Sequence, residues 1–438
     1  MLAESVKKNL TECILPFWMK LKDEDNGGFY GVVDPELSVH KDADKGVILT
    51  SRILWSFSEA YLTLGDMKYL EYAKHAYVFL RDRCFDKERG GVYWSVTFDG
   101  KPSDTQKHSY NHSFAVYALS TYYEATGDEE ALRLALDVYD VIENHFTDGG
   151  GYIEALDIDF KPSSNEKLSE NGVMATRTMN TALHIMEAYT VLFKALKYGP
   201  ADTEYMECGL EDSDEYLGKV QEKIEKVLDC FADKIYQGKD RLEVFFDKDF
   251  NPIIDLWSYG HDIEASWLID RTLEVLDDDY IGDSLPKLKR LTDLLAETIY
   301  KTAISEDGSM LNECEKGVVN TKRIWWVQAE AIIGFVNYYQ KHGGEDNPEV
   351  NGYLKAAEAV WDICDKYFID KRDGGEWFNE LFEDLTPDKS MNIVDEWKCP
   401  YHTSRMCMEI IRRMSAESSD KGILKRLIFY KMEWKNYE

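Results

Sequence analysis

Two histidines lie where helices are expected to begin, and both have neighbours suited to proton transfer. His261 precedes Glu264 by three residues, a spacing that places both side chains on one helix face. A carboxylate in that position can hold an imidazole in one tautomer and raise its basicity. His402 follows Pro400 at a second loop-to-helix junction, where proline suits the first helical turn. These residue types indicate acid–base chemistry near neutral pH.

A polar or aromatic residue recurs near the start of each of six expected helices. The series lies 18 to 33 positions after successive glycine-rich turns and consists of Arg52, Tyr110, His184, His261, Trp326 and His402. In a closed barrel of repeated units, residues at one phase of the repeat would surround a central pit, a common place for an active site. Asn180 precedes His184 by four residues, so the two would share a helix face. For any one histidine taken alone, a structural role is the commoner interpretation.

Other catalytic motifs are missing from the sequence. It has neither a Gly-x-Gly-x-x-Gly nor a Walker pattern for a nucleotide phosphate, and no Gly-x-Ser-x-Gly elbow for acyl transfer. His108 and His112 have a zinc-like spacing, but no His-Glu-x-x-His pattern supports it. A di-metal centre would need a second His-x-x-Glu pair and two further carboxylates. We therefore expect no cofactor and no metal.

The elements that must position these residues are marked by glycine followed by an aromatic or apolar residue, mostly every 60 to 65 residues. The copies begin at Gly27, Gly90, Gly149, Gly308 and Gly374, with a degenerate copy between Gly238 and Phe246. Several continue into an acidic residue followed closely by proline, as in Asp99 with Pro102. Alternating apolar residues between such turns predict short β-hairpins.

Between these turns the apolar residues recur at i, i+3, i+4 and i+7, which is the period of a helix. The segments are 49–64, 67–81, 113–126, 130–145, 179–196 and 330–339. Two helices in each of six units predict an all-α fold, a six-hairpin (α/α) barrel with the short β-hairpins in the loops at one end. An irregular helical protein with glycine-rich turns is the alternative.

Domain organisation is expected to be simple, with one catalytic barrel over residues 1–414. An acidic insertion over 199–214 accounts for the longer third repeat. A C-terminal extension over 415–438 changes character and carries basic and apolar residues, and its role is not defined by the sequence.

Composition narrows the partners and the location. The chain has 438 residues and a net charge of −31, which opposes binding to nucleic acid and to anionic membrane surfaces. Its 8 cysteines form no Cys-x-x-Cys pair, as expected of reduced thiols, and the N-terminal segment resembles an amphipathic helix rather than a signal peptide. No run of about 18 apolar residues is present. We expect a cytoplasmic, soluble monomer that binds a small molecule.

Several stretches of the chain resemble the N-acylglucosamine 2-epimerase superfamily, and most closely its cellobiose 2-epimerase branch. They lie within 45–55, 108–114, 169–184, 258–265, 325–331 and 397–405. The insertion and the C-terminal extension depart from the family pattern without touching a motif. The resemblance implies a cofactor-free enzyme that inverts C2 of the reducing-end glucose of β-1,4-linked disaccharides, through a cis-enediolate. Cellobiose would give glucosyl-mannose, and lactose would give epilactose.

The resemblance also implies roles for individual residues. His261 and His402 match the family's acid–base pair, and Glu264 matches the carboxylate that tunes His261. Arg52 matches a residue near the substrate oxygens at C1 and C2. The residues that match the sugar-binding wall are Tyr110, Phe114, Asn180, His184, Trp325, Trp326 and Glu330. Trp397 matches a residue that stacks on the second sugar ring, and a Trp that only plugs the barrel rim is the alternative.

Four other functions stay open at this point. An aldose–ketose isomerase of the same superfamily would use the same histidines and return the proton to C1, and an N-acylglucosamine 2-epimerase would act on a monosaccharide. A glycoside hydrolase would need two flanking carboxylates, for which Glu264 and Glu330 are the candidates. A glycan-binding barrel without activity would use the aromatic wall alone.

Overall fold

The structure is a computed structural model, described over residues 2–168, 172–201, 208, 210, 212–277 and 282–418, with side chains as far as Met414. Three expectations therefore fall partly outside the described residues. They are the start of the stretch at 169–184, the acidic insertion at 199–214 and the C-terminal extension at 415–438.

Long helices alternate along the chain between an inner and an outer position. In chain order they are α1 (Leu2–Asn9), α2 (Leu15–Lys20), α3 (Val47–Leu64), α4 (Lys68–Phe79), α5 (Ser109–Thr126), α6 (Glu129–His145), α7 (Met179–Tyr198), α8 (Ser213–Cys230), α9 (Tyr259–Leu276), α10 (Leu285–Thr302), α11 (Trp325–Lys341), α12 (Asn351–Ile363) and α13 (Tyr401–Ser418). A π-helical turn over Leu10–Ile14 joins α1 to α2, and similar turns end α4, α8 and α12 at Leu80–Cys84, Phe231–Ile235 and Cys364–Phe368. Two short 3₁₀ turns, Gly344–Asp346 and Pro348–Val350, precede α12.

The inner helices α3, α5, α7, α9, α11 and α13 close into a ring. Each packs against the next, and α13 packs against α3. The first helix also packs against α13, so it serves as the outer partner of the last inner helix. This arrangement confirms the predicted six-hairpin (α/α) barrel.

Burial explains why inner and outer helices differ in sequence. In α5 nearly every residue is buried, because the helix contacts neighbours on all sides. In α6 the buried residues form one stripe from Ala131 to Ile142, and the other face carries charge. No helix in the described part of the chain has the length and apolarity needed to cross a lipid bilayer.

Short strands join the loops at the end of the barrel where the inner helices begin. They are β1 (Lys45–Gly46), β2 (Ser95–Val96), β3 (Lys107–His108), β4 (Ala155–Leu156), β5 (Arg177–Thr178), β6 (Phe245–Phe246), β7 (Leu256–Ser258), β8 (Glu313–Glu315), β9 (Val318–Asn320), β10 (Arg323–Ile324) and β11 (Glu380–Leu381). The antiparallel pairs are β1–β2, β3–β4, β5–β6 and β10–β11, and β7–β8–β9 form a three-stranded sheet. In the first pair Lys45 lies opposite Val96 and Gly46 opposite Ser95.

This pairing refines the predicted hairpins. The strand that leads into an inner helix pairs with a strand beyond the following outer helix, so each pair closes one helical unit. The glycine motifs themselves form turns closed by one bridge, such as Phe85 with Val92 and Val96 with Pro102. Within the described residues, β8 and β9 form a β-hairpin with a two-residue loop, whereas a helix pair separates the strands of the other pairs.

A buried ion pair fixes the glycine turns against the inner helices. The Lys107 ammonium, two residues before α5, donates to Asp86 at 3.1 Å and to the carbonyl of Gly90 at 2.7 Å. Equivalent pairs occur in other repeats, Lys45 with Asp23, Arg177 with Asp148 and Arg323 with Asp307. Removing one partner would leave a buried charge unpaired, so these residues fix the starts of α3, α5, α7 and α11.

His112 anchors the same turn from inside the helix. Its Nε2 accepts the backbone N–H of Val92 at 3.1 Å, and a Cβ added to Gly91 would lie 2.3 Å from that atom. Glycine is therefore required at position 91 for close approach as well as for its φ of 71°. Asp262 and Gln328 accept backbone N–H groups at the same helical position in later repeats. His112 thus has a structural role here.

Candidate active site

The first two turns of the inner helices bring the predicted site residues together. The second and sixth helical positions, four residues apart, face the same way. In α5 these positions hold Tyr110 and Phe114, in α7 Asn180 and His184, and in α11 Trp326 and Glu330. In α3 the sixth position is Arg52, in α9 it is Glu264 beside His261, and in α13 the second position is His402. We call this end of the barrel the front site.

His402 is oriented by a carboxylate from the neighbouring helix. Its Nδ1 lies 2.7 Å from Glu330 Oε1, while Trp267 Nε1 donates to Glu330 Oε2 at 3.0 Å. Burial, with the nearby Arg405 guanidinium, holds the pKa of His402 well below its usual range. A neutral His402 that donates from Nδ1 leaves the Nε2 lone pair as a base, and Nε2 has no hydrogen-bond partner in the described residues.

His261 has a different partner from the one predicted. Its Nδ1 lies 2.7 Å from the hydroxyl of Ser258, the last residue before α9. Burial lowers the pKa of His261 to about 3, so it too is neutral in the unliganded site. The predicted pairing of His261 with Glu264 is wrong, because Glu264 turns instead towards Arg405 and comes within 4.0 Å of His402 Nδ1.

Arg405 is the centre of a buried ionic cluster that the sequence analysis missed. Its guanidinium contacts Glu264 Oε1 at 2.5 Å, Glu330 Oε1 at 2.7 Å and Glu187 Oε1 at 2.6 Å. Arg405 follows His402 by three residues, the same spacing that singled out Glu264. A buried cation is the charge that three converging carboxylates require.

The cluster gives its carboxylates different proton affinities. Burial and the proximity of Glu330 raise the pKa of Glu264 to about 8. Burial also raises the pKa of Glu330, although Arg405 opposes this, and of the two it is Glu264 that keeps its proton at neutral pH. Burial acts to raise the pKa of Glu187 too, but Arg405 and His184 together hold it down to about 2. With the proton on Glu264, Glu330 beside Arg405 is ionised and accepts from His402.

His184 and Glu187 form a second histidine–carboxylate pair in the site. His184 Nδ1 lies 2.8 Å from Glu187 Oε2, which also accepts the Tyr401 hydroxyl at 2.5 Å. The ring of His184 packs against Tyr110 at 5.2 Å between centroids. Glu187 follows His184 by three residues, so the spacing rule applied to His261 would have found it.

Arg52 presents a cation to the front site. Its Nη2 donates to the Tyr110 hydroxyl at 2.8 Å, and its guanidinium carbon lies 4.1 Å from the centroid of Phe114. Its Nε is buried and has no hydrogen-bond partner in the described residues, and Asn180 Oδ1 is in the same condition. Buried polar atoms without partners are rare in proteins, so these two are candidate contacts for a ligand in the front site.

Aromatic rings form the walls. Trp326 packs against His261 at 4.7 Å and against His402 at 5.5 Å, so one indole contacts both histidines. Trp325 is buried behind His402 at 5.2 Å and thus supports that ring. Trp397 is half-buried at the rim, 6.1 Å from Tyr110.

A possible metal set also lies in the front site. Ligand atoms of Glu264, Glu330 and His402 lie within 4.8 Å of one another. The Arg405 guanidinium already contacts both carboxylates of this set. The two carboxylates are therefore already neutralised by the Arg405 side chain, and they suit this guanidinium better than a metal ion.

Comparison with known proteins agrees with the resemblance of the motifs. The family model for N-acylglucosamine 2-epimerase (GlcNAc 2-epimerase) matches residues 28–404. The chain is 50% identical over 412 residues to a cellobiose 2-epimerase of Eubacterium cellulosolvens, covering 93% of this chain and 98% of that protein. Among solved structures it is similar to a sugar epimerase from a ruminal bacterium, with a TM-score of 0.86, 45% identity and coverage of 94% and 99%. A cellobiose 2-epimerase from Bacillus thermoamylovorans B4167 has a TM-score of 0.84 at 42% identity, with coverage of 94% and 99%.

Proposed function

The chain belongs to the N-acylglucosamine 2-epimerase family, and we propose that it acts within this family as a cellobiose 2-epimerase. It would invert C2 of the reducing-end glucose of β-1,4-linked disaccharides, turning cellobiose into glucosyl-mannose and lactose into epilactose. The observation that carries the proposal is the pair of buried neutral histidines whose rings both contact Trp326. The names of similar proteins support the choice of substrate.

The chemistry needs two groups that exchange protons with one carbon. After the sugar ring opens, the C2 hydrogen is weakly acidic because it lies beside the aldehyde. One histidine takes this proton on Nε2, the C–H electron pair forms the C1–C2 double bond, and the aldehyde oxygen becomes the enediolate oxygen. The other histidine is the imidazolium at this stage; it gives its Nε2 proton to the opposite face of C2 and becomes neutral, and the aldehyde reforms. Histidine suits both steps because the free imidazole exchanges its proton near neutral pH, and the negative charge of a neighbouring enediolate raises the pKa that burial otherwise lowers.

The two histidines have different hydrogen-bond partners, a carboxylate for His402 and a hydroxyl for His261, and this difference assigns them different roles. Ionised Glu330 can only accept, so it fixes the proton of His402 on Nδ1 and leaves Nε2 as a base. The Ser258 hydroxyl can donate or accept, so His261 can take either tautomer. His261 can therefore present a lone pair on Nε2 when its proton is on Nδ1, and as the imidazolium it can donate from Nδ1 to Ser258 while it delivers the Nε2 proton.

We expect Arg52 to stabilise the enediolate. Its Nε–H has no partner among the described residues, and its guanidinium stays charged because the neighbouring groups raise its pKa despite burial. Six helix N-termini also face this end of the barrel, and their dipoles favour negative charge. Preorganised donors of this kind are a main source of catalysis when charge develops in a transition state.

The hydrolase alternative fits the geometry less well. Glu264 and Glu330 both contact one nitrogen of Arg405, so they lie on the same side of the site. Carboxylates that cleave a glycosidic bond flank it and are about 5 to 9.5 Å apart. Neither histidine has a role in that scheme.

The proposal is tested by incubating the purified chain with cellobiose and following the products by NMR. We expect a reducing-end mannose signal without loss of the glycosidic linkage. A fructose-type product would make the chain an aldose–ketose isomerase, free glucose would make it a hydrolase, and unchanged cellobiose would overturn catalysis on this sugar. A parallel sample with N-acetylglucosamine tests the monosaccharide epimerase.

A further inference from the structure

We infer that Glu396 and Lys167 form a polar clamp for the second sugar of the substrate, beside Trp397. This inference rests on the proposed function, because it takes the reducing-end sugar to lie among the histidines. The class of ligand is an uncharged pyranose ring with adjacent hydroxyl groups.

The clamp is held in place by a buried tryptophan that belongs to no predicted site. Trp94 Nε1 donates to Glu396 Oε2 at 2.9 Å, and the Trp94 ring packs against Trp397 at 5.6 Å between centroids. Lys167 Nζ lies 5.1 Å from the centre of the Trp94 ring and pairs with Asp104 at 2.5 Å. Trp94 thus contacts both the Glu396 carboxylate and the Lys167 ammonium next to the half-buried indole of Trp397.

Both members of the clamp keep hydrogen-bonding capacity. Glu396 Oε1 has no hydrogen-bond partner in the described residues, and its side chain is half-buried. An ammonium group has three donors, and Asp104 is the acceptor that Lys167 Nζ contacts. One acceptor and free donors match two neighbouring hydroxyl groups, each of which can donate and accept.

Among the described residues, buried polar atoms without partners occur beside Trp94 and close to Lys167 in the chain, which supports the same inference. His108, whose ring lies 4.8 Å from Trp94, has a buried Nδ1 without a hydrogen-bond partner in the described chain. Asn165, two residues before Lys167, is 5% exposed, and neither polar atom of its amide has a partner there. Buried polar groups in proteins are normally satisfied, so this concentration indicates a place for a polar ligand.

The position of the clamp relative to the reaction centre follows from ring contacts. Trp397 lies 6.1 Å from Tyr110, which accepts a hydrogen bond from Arg52 in the front site. A sugar stacked on Trp397 would therefore adjoin the reacting sugar, with Glu396 next to it along the chain. Sugar faces carry C–H groups that pack on aromatic rings, while the edge hydroxyls remain free for polar side chains.

The test compares Glu396→Gln and Lys167→Met with Glu306→Gln, which removes the same charge from an exposed loop residue. Each clamp variant should lower kcat/KM for cellobiose about tenfold, as expected for the loss of a hydrogen bond to a charged group. The inhibition constant of free mannose, which fills the reaction centre alone, should stay unchanged in all three. Trp94→Phe keeps an aromatic ring and removes the N–H. In a double-mutant cycle with Glu396→Gln, the loss of kcat/KM in the double variant should be smaller than the combined losses of the two single variants.

The possible results separate the clamp from the proposed function. Cellobiose activity that is unaffected in both clamp variants, or a loss that is equal for cellobiose and for mannose binding, overturns the clamp alone. An unmodified chain that does not epimerise cellobiose overturns the proposed function and the clamp with it. Additive losses for Trp94 and Glu396 would remove Trp94 as the residue that positions the carboxylate.

Discussion

The barrel has two polar regions along its axis, and they use the same residue types in different ways. The front site lies where the inner helices begin. Behind it, towards the ends of the same helices, is a cavity of about 90 Å³, which we call the rear cavity. Its charged lining residues are Glu59, Glu124, Glu187, Lys194, Arg271, Arg405, Glu409 and Arg412.

In the rear cavity the charges are paired with one another. Lys194 lies 3.1 Å from Glu124, Arg271 lies 2.7 Å from Glu409, and Arg412 contacts Glu59. In the front site Arg52 Nε, Asn180 Oδ1 and Glu264 Oε2 are buried without hydrogen-bond partners in the described residues. Charge alone therefore does not mark function, and neither does an unpartnered buried atom, since Arg271 Nε in the rear cavity has no hydrogen-bond partner in the described chain either. The two ends differ in protonation: arginines hold the rear carboxylate Glu409 ionised, whereas the front site combines neutral histidines with a Glu264 that keeps its proton.

The largest effect is expected from removing the front histidines. His261→Ala and His402→Ala should each lower kcat on cellobiose by about 10³-fold or more, since each removes one of the two proton-transfer groups. The measurement is the initial rate of mannose-type product by NMR, with circular dichroism to check folding. Glu409→Gln in the rear cavity is the matched control and should keep most of the activity. Substantial activity in either folded histidine variant would contradict the two-base assignment.

Stability should respond in opposite directions at the two ends. Burial and Glu330 raise the pKa of Glu264 to about 8. The folded state therefore holds this proton more tightly than the unfolded chain, whose glutamate pKa is about 4.3. The stability from that proton is present at low pH and is lost as pH rises to about 8. Glu264→Gln removes this loss and should raise the free energy of unfolding by about 1 to 3 kcal/mol at pH 8.

For the rear carboxylate Glu409, the free energy of unfolding depends on pH in the opposite direction. Although burial acts to raise its pKa, Arg271, Arg413 and Arg412 lower it to about 2. Its stabilisation is present above the unfolded pKa of about 4.3 and is lost as pH falls towards 2. Glu409→Gln should therefore cost about 1 to 3 kcal/mol at pH 7. Urea unfolding at several pH values measures the free energy of unfolding of both variants against the unmodified chain. If Glu264→Gln and Glu409→Gln changed it in the same direction, the proposed difference between the front site and the rear cavity would be wrong.

Much of this architecture could be predicted from the sequence, because repeated patterns carry repeated contacts. The glycine turns and the helical period were enough to predict six helix pairs. Helix starts were less well predicted: α5 begins at Ser109 rather than 113 and α11 at Trp325 rather than 330. The polar and aromatic residues of the first turn face the site, so they interrupt the apolar period on which the prediction depended.

The residues that the sequence analysis missed share one physical cause. Arg405 and Glu187 act through contacts between helices that are far apart in sequence, and no local spacing shows which carboxylate a buried arginine will reach. The same cause explains the wrong partner for His261. A carboxylate at i+3 was available to it, but three-dimensional packing gave Glu264 to Arg405 and left Ser258 for the histidine.

A smaller effect is expected from the partner of His261. Ser258→Ala removes the group at Nδ1 and should lower kcat about three- to tenfold, close to the value of one buried hydrogen bond. The acid side of the pH–rate profile should also shift, since Nδ1 of His261 loses the hydroxyl that can accept from it when the ring is protonated. Ser258→Thr keeps a hydroxyl and should restore both. Ser266→Ala on the same helix removes only a bond to a backbone carbonyl and serves as the control. An unchanged profile in Ser258→Ala would give Ser258 a purely structural role.

The smallest expected effect is that of a chelator, which should leave activity unchanged. Glu264, Glu330 and His402 have the ligand types and the spacing of a divalent metal site, so the front site could be mistaken for one. The guanidinium of Arg405 supplies the positive charge there, through contacts of 2.5 Å and 2.7 Å to the two carboxylates. A metal ion would have to displace this guanidinium and leave a buried cation without its partners, which is strongly unfavourable. The measurement is the rate on cellobiose after dialysis against EDTA, with and without added Mg²⁺, Mn²⁺ or Zn²⁺. If EDTA abolished the activity and one ion restored it, the cluster would be a metal centre, and the assignment of Arg405 as its cation would be wrong.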